Sequence, residues 1–391
     1  MIILLKLTNI LRFSVGFIPS ILFFLILRLK NKKIVLVKLF SSKFGHFYAN
    51  TEYFLRKEKK NSNFYIFFNE QIIDNLNLLE AWKTKILIIP YFMGFTLFKL
   101  KGFLSIKYYN CRKYSSIDRK SFLRRSFLTY EKINNNFSFT CSVRNNFYQK
   151  KNQVNDLDYQ NYRDTNIKNF NYVISKFLEN NDKMSGILIN SNARGFVNKK
   201  FIKNRKFYYN KSSSFFKLLR LISRSSFHFG SSTGVDTLAF SHNIPTALYN
   251  MILGSSFNFL NYPTKCIISP CLLIEKKNEK ILSLNKHIEL ISLIEKKFKK
   301  DRFDLEDQII FDLEYRKNSI DEMYNLLNEI SLYSQGLLKL SIKDKKLQKK
   351  FWNIYPKVKR DILTKKILSD QRVFKPLISP YYLKKYEKVL F

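Results

Sequence analysis

Phe227-His228-Phe229-Gly230-Ser231-Ser232-Thr233-Gly234-Val235-Asp236-Thr237-Leu238-Ala239, followed by Asn243-Ile244-Pro245-Thr246, is the stretch on which the fold turns. An aromatic-rich run over residues 226–229 enters a Gly/Ser/Thr turn. A helical pattern follows over 235–242, and a second strand over 246–249 begins after Pro245. Strand, turn, helix and strand in so short a span is the repeating unit of open parallel α/β sheets. Such a turn presents backbone N–H groups and hydroxyls at a helix N-terminus, where an anion is favoured. It lacks the lysine of a P-loop and is not the dinucleotide G-x-G-x-x-G. Hydroxyls also cap helices routinely, so the turn alone leaves both readings open. In an α/β series it reads as a nucleotide-diphosphate site built by Ser231, Ser232, Thr233 and Gly234. Asp236, one turn into the helix, either reaches a ribose or faces solvent.

The same alternation extends in both directions. Strands are expected over 33–40, 64–68, 86–90, 137–143 and 186–190, with a helix that follows the turn at 41–46 and runs through Asn50 and Glu52 to about 59, and helices over 70–83, 165–179 and 215–223. Residues 107–125 are basic and Tyr-rich and read as a surface connection. From about 281 the pattern is helical, with an amphipathic segment over 319–330. The expected fold is therefore α/β: two facing Rossmann-like domains, with an N-terminal hydrophobic anchor and a C-terminal helical tail. The boundaries are 1–31 for a membrane-associated segment, 32–130 and 131–300 for the two domains, and 301–391 for a tail packing across both.

Composition narrows the function. Lys plus Arg number 69 against 30 Asp plus Glu, a net charge of +39 over 391 residues, so the chain seeks anions. Lys, Asn, Ile, Phe and Tyr are abundant throughout, and part of that charge is compositional drift. A mean hydropathy of −0.23 excludes a polytopic membrane protein. Cys111, Cys141, Cys266 and Cys271 show no metal-binding spacing and read as small buried hydrophobes in a reduced compartment. Residues 1–27 are largely apolar but interrupted by Lys6 and Arg12, and Arg28, Lys30, Lys32 and Lys33 follow. With no cleavage site before the first strand, the segment reads as an in-plane anchor or one tight span. Its basic flank puts the body on the cytoplasmic face of the inner membrane. The plainer alternative is a hydrophobic helix packed on the body.

Two further segments lie where strands end. Lys43-Phe44-Gly45-His46-Phe47-Tyr48-Ala49-Asn50-Thr51-Glu52 follows the first strand. Gly45 suits a tight turn into a helix, and ligands of open α/β sheets bind at the carboxyl ends of strands. His46 titrates near neutral pH and suits deprotonation of a hydroxyl; Glu52, two turns on, either orients it or acts as base instead. A capping His and a solvated Glu are the structural alternative. Ser142-Val143-Arg144-Asn145 leaves the first strand of the second series, where Arg144 is placed to clamp a diphosphate bidentately. Downstream, Arg163 reads as a surface charge, and Asp164 and Thr165 suit a helix cap. Asp156-Leu157-Asp158 is formally a D-x-D, but a hydrophilic run precedes it and it reads as a solvated loop.

In this order the segments resemble a family of bacterial glycosyltransferases assigned to surface-polysaccharide synthesis. Its (I/F)-G-H-x-x-x-N-x-E segment is matched by Phe44-Gly45-His46 through Asn50 and Glu52, and its V-R-(D/N) by Val143-Arg144-Asn145. Its R-N-x-D-I-x-N-Y segment is loosely matched from Arg163 to Phe170, and its F-x-G-(S/T)-x-(S/T)-G turn resembles Phe227 to Gly234. Asn318-Ser319, Phe351-Trp352 and Ile378-Ser379-Pro380-Tyr381-Tyr382-Leu383 fit its tail. More distantly, the Arg144 strand and the Ser/Thr/Gly turn are similar to donor-site elements of GDP-fucose-using transferases of GT-B architecture. The resemblance implies metal-independent transfer of a sugar from a nucleotide-sugar to a surface-glycan acceptor carried on lipid, with no cofactor. Arg144, Ser231, Ser232, Thr233, Gly234 and Asp236 would bind donor, Gly45 and Asn50 would lie on the acceptor side, and His46 or Glu52 would be the base. The alternatives are a basic nucleic-acid-binding protein, against which stands the lack of any recognisable nucleic-acid module, and an inactive membrane-associated scaffold.

Overall fold

The structure is a computed structural model, in which the described residues are 2–29, 33–58, 63–113, 126–128, 138–144, 164–189, 206–209, 214–231, 233–253, 265–298, 305–355 and 376–391. Contacts divide the chain into one unit of Met1–Tyr130 with Ser214–Phe216, and another of Glu131–Ser213 with Lys217–Phe391.

The first unit opens with α1 (Ile2–Arg28), then β1 (Lys33–Lys38), α2 (Phe44–Glu58), β2 (Asn63–Phe68), α3 (Leu76–Lys83), β3 (Leu87–Ile89), α4 (Tyr91–Leu100) and β4 (Lys107–Asn110). Its sheet runs β3-β2-β1-β4, parallel throughout. Ile34, Val35, Leu36 and Val37 of β1 are all buried, as a central parallel strand covered on both faces requires. Each contributes roughly 1.5–3 kcal/mol of burial. The surface connection expected over 107–125 is instead a strand at its start. Lys107–Asn110 pairs with β1 and is half-buried, so its edge position hides it among charged and Tyr residues.

No helix among the described residues is long and apolar enough to cross a membrane. The reading of α1 as a span is corrected accordingly: Lys6 and Arg12 interrupt its first half, and a seam of small residues packs it on α4. A Cβ on Gly16 would stand 2.5 Å from the Thr96 hydroxyl and 2.8 Å from the Phe92 carbonyl, and Ser20 Oγ donates to the Met93 carbonyl at 3.3 Å. Phe24 and Leu27 enter the core of this unit.

The second unit holds β5 (Phe139–Cys141), α5 (Ile167–Glu179), β6 (Gly186–Leu188), β7 (Phe207–Tyr209), α6 (Phe215–Ser223, whose first two residues cluster with the first unit), β8 (Phe227–Gly230), α7 (Asp236–Ser241), β9 (Thr246–Met251) and β10 (Cys266–Pro270). An antiparallel pair follows, β11 (Leu272–Glu275) with β12 (Leu313–Arg316), around α8 (Leu284–Phe298) and α9 (Leu305–Ile310). The tail is α10 (Ile320–Ser334), α11 (Ile342–Ile354), β13 (Leu377–Ile378), α12 (Pro380–Lys385) and α13 (Glu387–Leu390). Seven parallel strands run in the order β13-β10-β9-β8-β5-β6-β7. Stacked Phe139 and Phe227, 5.0 Å apart, fill the core with Phe170, Phe177 and Phe229. Within this unit the tail is not purely helical, since β13 adds the edge strand. Ser319 and Glu322 form a capping box on α10. The preceding Asn318 and Asn250 each donate a backbone N–H to the other's side-chain Oδ1, at 2.8 and 2.6 Å respectively. All four cysteines are buried, and none of them forms a disulfide.

Candidate active site

Both sheets have a topological switch point, and polar groups gather at each. In the first, the chain winds outward through β1, β2 and β3, then returns to place β4 on the other flank of β1. In the second, it winds through β5, β6 and β7, then returns to lay β8 against the other flank of β5. Adjacent strands whose connections leave in opposite directions open a crevice at their carboxyl ends, where α/β proteins bind ligands.

At the first switch point, α2 begins at Phe44, so Gly45 and His46 lie within its first turn. Two donors at the start of α2 are engaged. Asp74 Oδ2 accepts from Phe44 N at 2.8 Å, and Glu70 Oε2 accepts from the Ser42 hydroxyl at 2.7 Å. Both carboxylates sit in the loop between β2 and α3, within the segment expected to be helical from residue 70. The His46 ring stacks on Phe40 at 4.7 Å, and its Nδ1 lies 3.3 Å from Asn50 Oδ1. Burial lowers the His46 pKa; the Asn50 bond opposes this, Lys43 and Arg112 add to it, and Glu70 opposes it. His46 is therefore neutral near pH 7, with a nitrogen able to accept a proton. Arg112 and Glu70 went unremarked in the sequence because their place beside His46 depends on strand order.

Glu52 is neither solvated nor at the crevice. It is fully buried, and its Oε1 accepts from Arg56 Nε at 2.7 Å and from Phe127 N at 2.9 Å. A carboxylate in that position holds a buried guanidinium and a backbone amide, which is a structural task. Asn50 is also buried, its Nδ2 donating to the Cys111 carbonyl at 3.1 Å.

At the second switch point, the backbone N of Arg144, just past β5, donates to Ser231 Oγ at 2.8 Å in the turn after β8. The Arg144 side chain pairs with Asp164, Nε to Oδ1, at 3.5 Å. Its carbonyl accepts from Thr165 N at 3.0 Å, and Thr165 Oγ1 lies 2.9 Å from Tyr249 OH. The cap of α5 is Asn166, whose side chain accepts from Lys168 N and Asn169 N, not the expected Asp164 or Thr165.

Asp236 departs from both of its expected roles. It is buried, and Oδ1 accepts from Ser142 Oγ and from Thr233 Oγ1 at 3.0 Å, while Oδ2 accepts from Thr233 N at 2.6 Å. His228 Nε2 is 2.8 Å from Oδ1, and His228 Nδ1 is 2.9 Å from Thr140 Oγ1. The carboxylate thus ties the turn to β5 and β8 from below. Gly230 makes room for it: a Cβ there would stand 2.5 Å from Asp236 Oδ1 and 2.6 Å from Ser142 Oγ. Thr233 therefore turns its N–H and hydroxyl inward, while Gly234 is exposed. His228, given no role in the sequence, is the network's inner partner; only the pairing of β5 with β8 brings it beside Ser142.

Ser232, Asn145, Arg163 and the D-x-D at Asp156 and Asp158 lie outside the described residues. Among the described residues, no group of three His, Cys, Asp or Glu side chains is placed to hold a metal ion.

No protein-family model and no curated protein sequence matches the chain. Solved structures similar to it include a family 9 glycosyltransferase from Veillonella parvula, at 9% identity and a TM-score of 0.46, covering 77% of this chain and 98% of that one. The ADP-heptose lipopolysaccharide heptosyltransferase II of Escherichia coli matches at 8% and 0.36, covering 55% and 84%. The iron-containing dodecameric glycosyltransferase TibC of enterotoxigenic E. coli matches at 13% and 0.35, covering 57% of this chain and 60% of its own length. Likeness this loose carries no argument about chemistry here. The α/β architecture rests on the strand pairing itself.

Proposed function

We propose that this chain is a metal-independent glycosyltransferase of the GT-B kind, taking a sugar from a nucleotide-sugar and passing it to a surface glycan carried on lipid. The observation that carries the reading is the hydrogen bond from Arg144 N to Ser231 Oγ. It joins an arginine-bearing strand end to a Ser/Thr/Gly turn across the switch point of the second sheet. In this reading Arg144 balances the charge of the departing nucleoside diphosphate and exposed Gly234 lies along it, while buried Ser231 holds the Arg144 backbone in place. Asp236 and Thr233 shape the turn. His46 takes the proton of the attacking hydroxyl, and its lowered pKa supports that role by keeping it neutral. Glu52, held by Arg56, is left out of the chemistry. Incubation with a panel of nucleotide-sugars in EDTA tests the reading by release of nucleoside diphosphate. Release that His46→Gln abolishes is expected, and activity only with added divalent cation would overturn the metal-independent part.

The lipid-linked acceptor has its own support, in the outer face of α1. Val15, Ile18, Leu22, Leu25, Ile26 and Leu29 are each more than half exposed and fall along one side of the helix. Exposed Arg28 at its end, Lys33 at the start of β1, and Lys99 on the α4 it packs against complement an anionic bilayer. We read this as in-plane docking on the cytoplasmic leaflet. The full chain should float with phosphatidylglycerol vesicles, and Ile18→Asp with Leu22→Asp should abolish this. Flotation unchanged in the double variant, or burial of the same face in a soluble dimer, would overturn it.

A further inference from the structure

The Asn50 amide is buried in α2 and both its ends are engaged. Nδ2 donates to the Cys111 carbonyl at 3.1 Å, an oxygen that can only accept. That contact fixes which way the amide points, so the atom 3.3 Å from His46 Nδ1 is Oδ1. An amide oxygen has no proton to give, and Nδ1 must therefore carry the hydrogen. A neutral imidazole has one N–H and one lone pair, so the lone pair falls on Nε2. Cys111 opens the 3-10 turn after β4, whereas His46 and Asn50 follow β1. The restraint thus crosses the first sheet's switch point, and Phe40 stacked on the ring limits its tilt.

We propose that Asn50, set by the Cys111 carbonyl, is a positioning residue that holds neutral His46 as its Nδ1–H tautomer, making Nε2 the nitrogen that accepts the acceptor hydroxyl's proton. This rests on the reading of His46 as the base, and it replaces the expected acceptor-side role of Asn50. The groups facing the ring agree with it. Lys43 in the preceding turn and Arg112 beyond β4 disfavour the doubly protonated ring. Glu70 in the loop after β2 favours it, and burial outweighs Glu70.

The test is long-range proton–nitrogen correlation NMR on the full chain with nitrogen-15-labelled histidine. The chain has 4 histidines, so His46→Gln assigns the signals. At pH 8 the expected wild-type pattern is a protonated Nδ1 and an unprotonated Nε2. Asn50→Leu should move the proton toward Nε2. Asn50→Asp should keep it on Nδ1 and shift the acid limb of kcat/KM upward by about one pH unit, because a carboxylate favours the charged ring. A wild-type ring protonated at Nε2 would overturn the proposal, as would a tautomer indifferent to Asn50→Leu. The wild-type spectrum decides even if the leucine variant fails to fold. Should the tautomer be as stated while His46→Gln keeps full activity, the assignment of His46 as base fails and the restraint stands.

Discussion

Glu329→Gln should make the protein more stable at alkaline pH and slightly less stable at acid pH. Glu329 lies on α10 against the C-terminal helix α12, where Oε1 accepts from Tyr381 N at 2.8 Å. Oε2 is buried with no hydrogen-bond partner among the described residues. Burial pushes the carboxyl up from 4.5 to about 7, and Asp344 adds to this; hydrogen bonds from Ser379 and Tyr381 and the charge of Lys384 oppose it. Between those values the folded protein keeps a proton that the unfolded chain has released. Stability therefore falls as pH rises through the window and stays reduced above it. At 1.36 kcal/mol per pH unit the span amounts to roughly 3 kcal/mol. Glutamine removes that dependence but leaves an amide N–H₂ where Oε2 has no partner, at a cost of about 1 kcal/mol. The net expectation is a gain of roughly 2 kcal/mol at pH 8.5 and a loss of about 1 kcal/mol at pH 4.5. Urea unfolding of wild type and variant at both pH values measures it. Equal differences at the two pH values, or a gain confined to acid, would refute the reasoning.

Other expectations follow from the two switch points. Glu52→Gln leaves the Arg56 guanidinium buried without its counter-charge, a change that should destabilise by about 3–5 kcal/mol while folded protein keeps its activity. Undiminished thermal stability with lost activity would return Glu52 to the chemistry. Gly230→Ala drives a methyl into the Asp236 carboxylate and should weaken nucleotide binding at least tenfold by calorimetry; unaltered affinity would mean that the network does not shape the turn. The acid limb of kcat/KM should lie below pH 6.5, since burial lowers the His46 pKa from 6.5. A limb above that value would contradict the neutral base.

Strong local patterns were legible without the structure. Ile34-Val35-Leu36-Val37 and the strand-turn-helix at Phe227 declared themselves because burial and turn chemistry act over a few residues. Strand order did not, because it depends on pairings between distant segments. With it were hidden β4, whose Lys and Tyr residues resemble a surface loop, and the meeting of His228 with Ser142 and Asp236. Spacing put Glu52 two turns beyond His46, but only its packing against Arg56 and Phe127 shows that it is withdrawn from the crevice. Asp236 misled for a related reason: an acidic residue in the first turn of a helix reads as solvated or ligand-facing, and here it turns inward beneath Gly230.

In the proposed function the switch point between β5 and β8 holds a nucleoside diphosphate through Arg144. Calorimetric titration of the metal-free full chain with UDP, GDP, dTDP and ADP, with CMP as the monophosphate, tests it most directly. Moderate salt suppresses diffuse attraction to so basic a chain. Selective binding of one nucleoside diphosphate is expected, weakened by Arg144→Ala roughly ten- to a hundredfold, the worth of a charge-assisted hydrogen bond. Equal, salt-sensitive binding of all five, indifferent to Arg144→Ala, would contradict it and favour a general polyanion-binding protein.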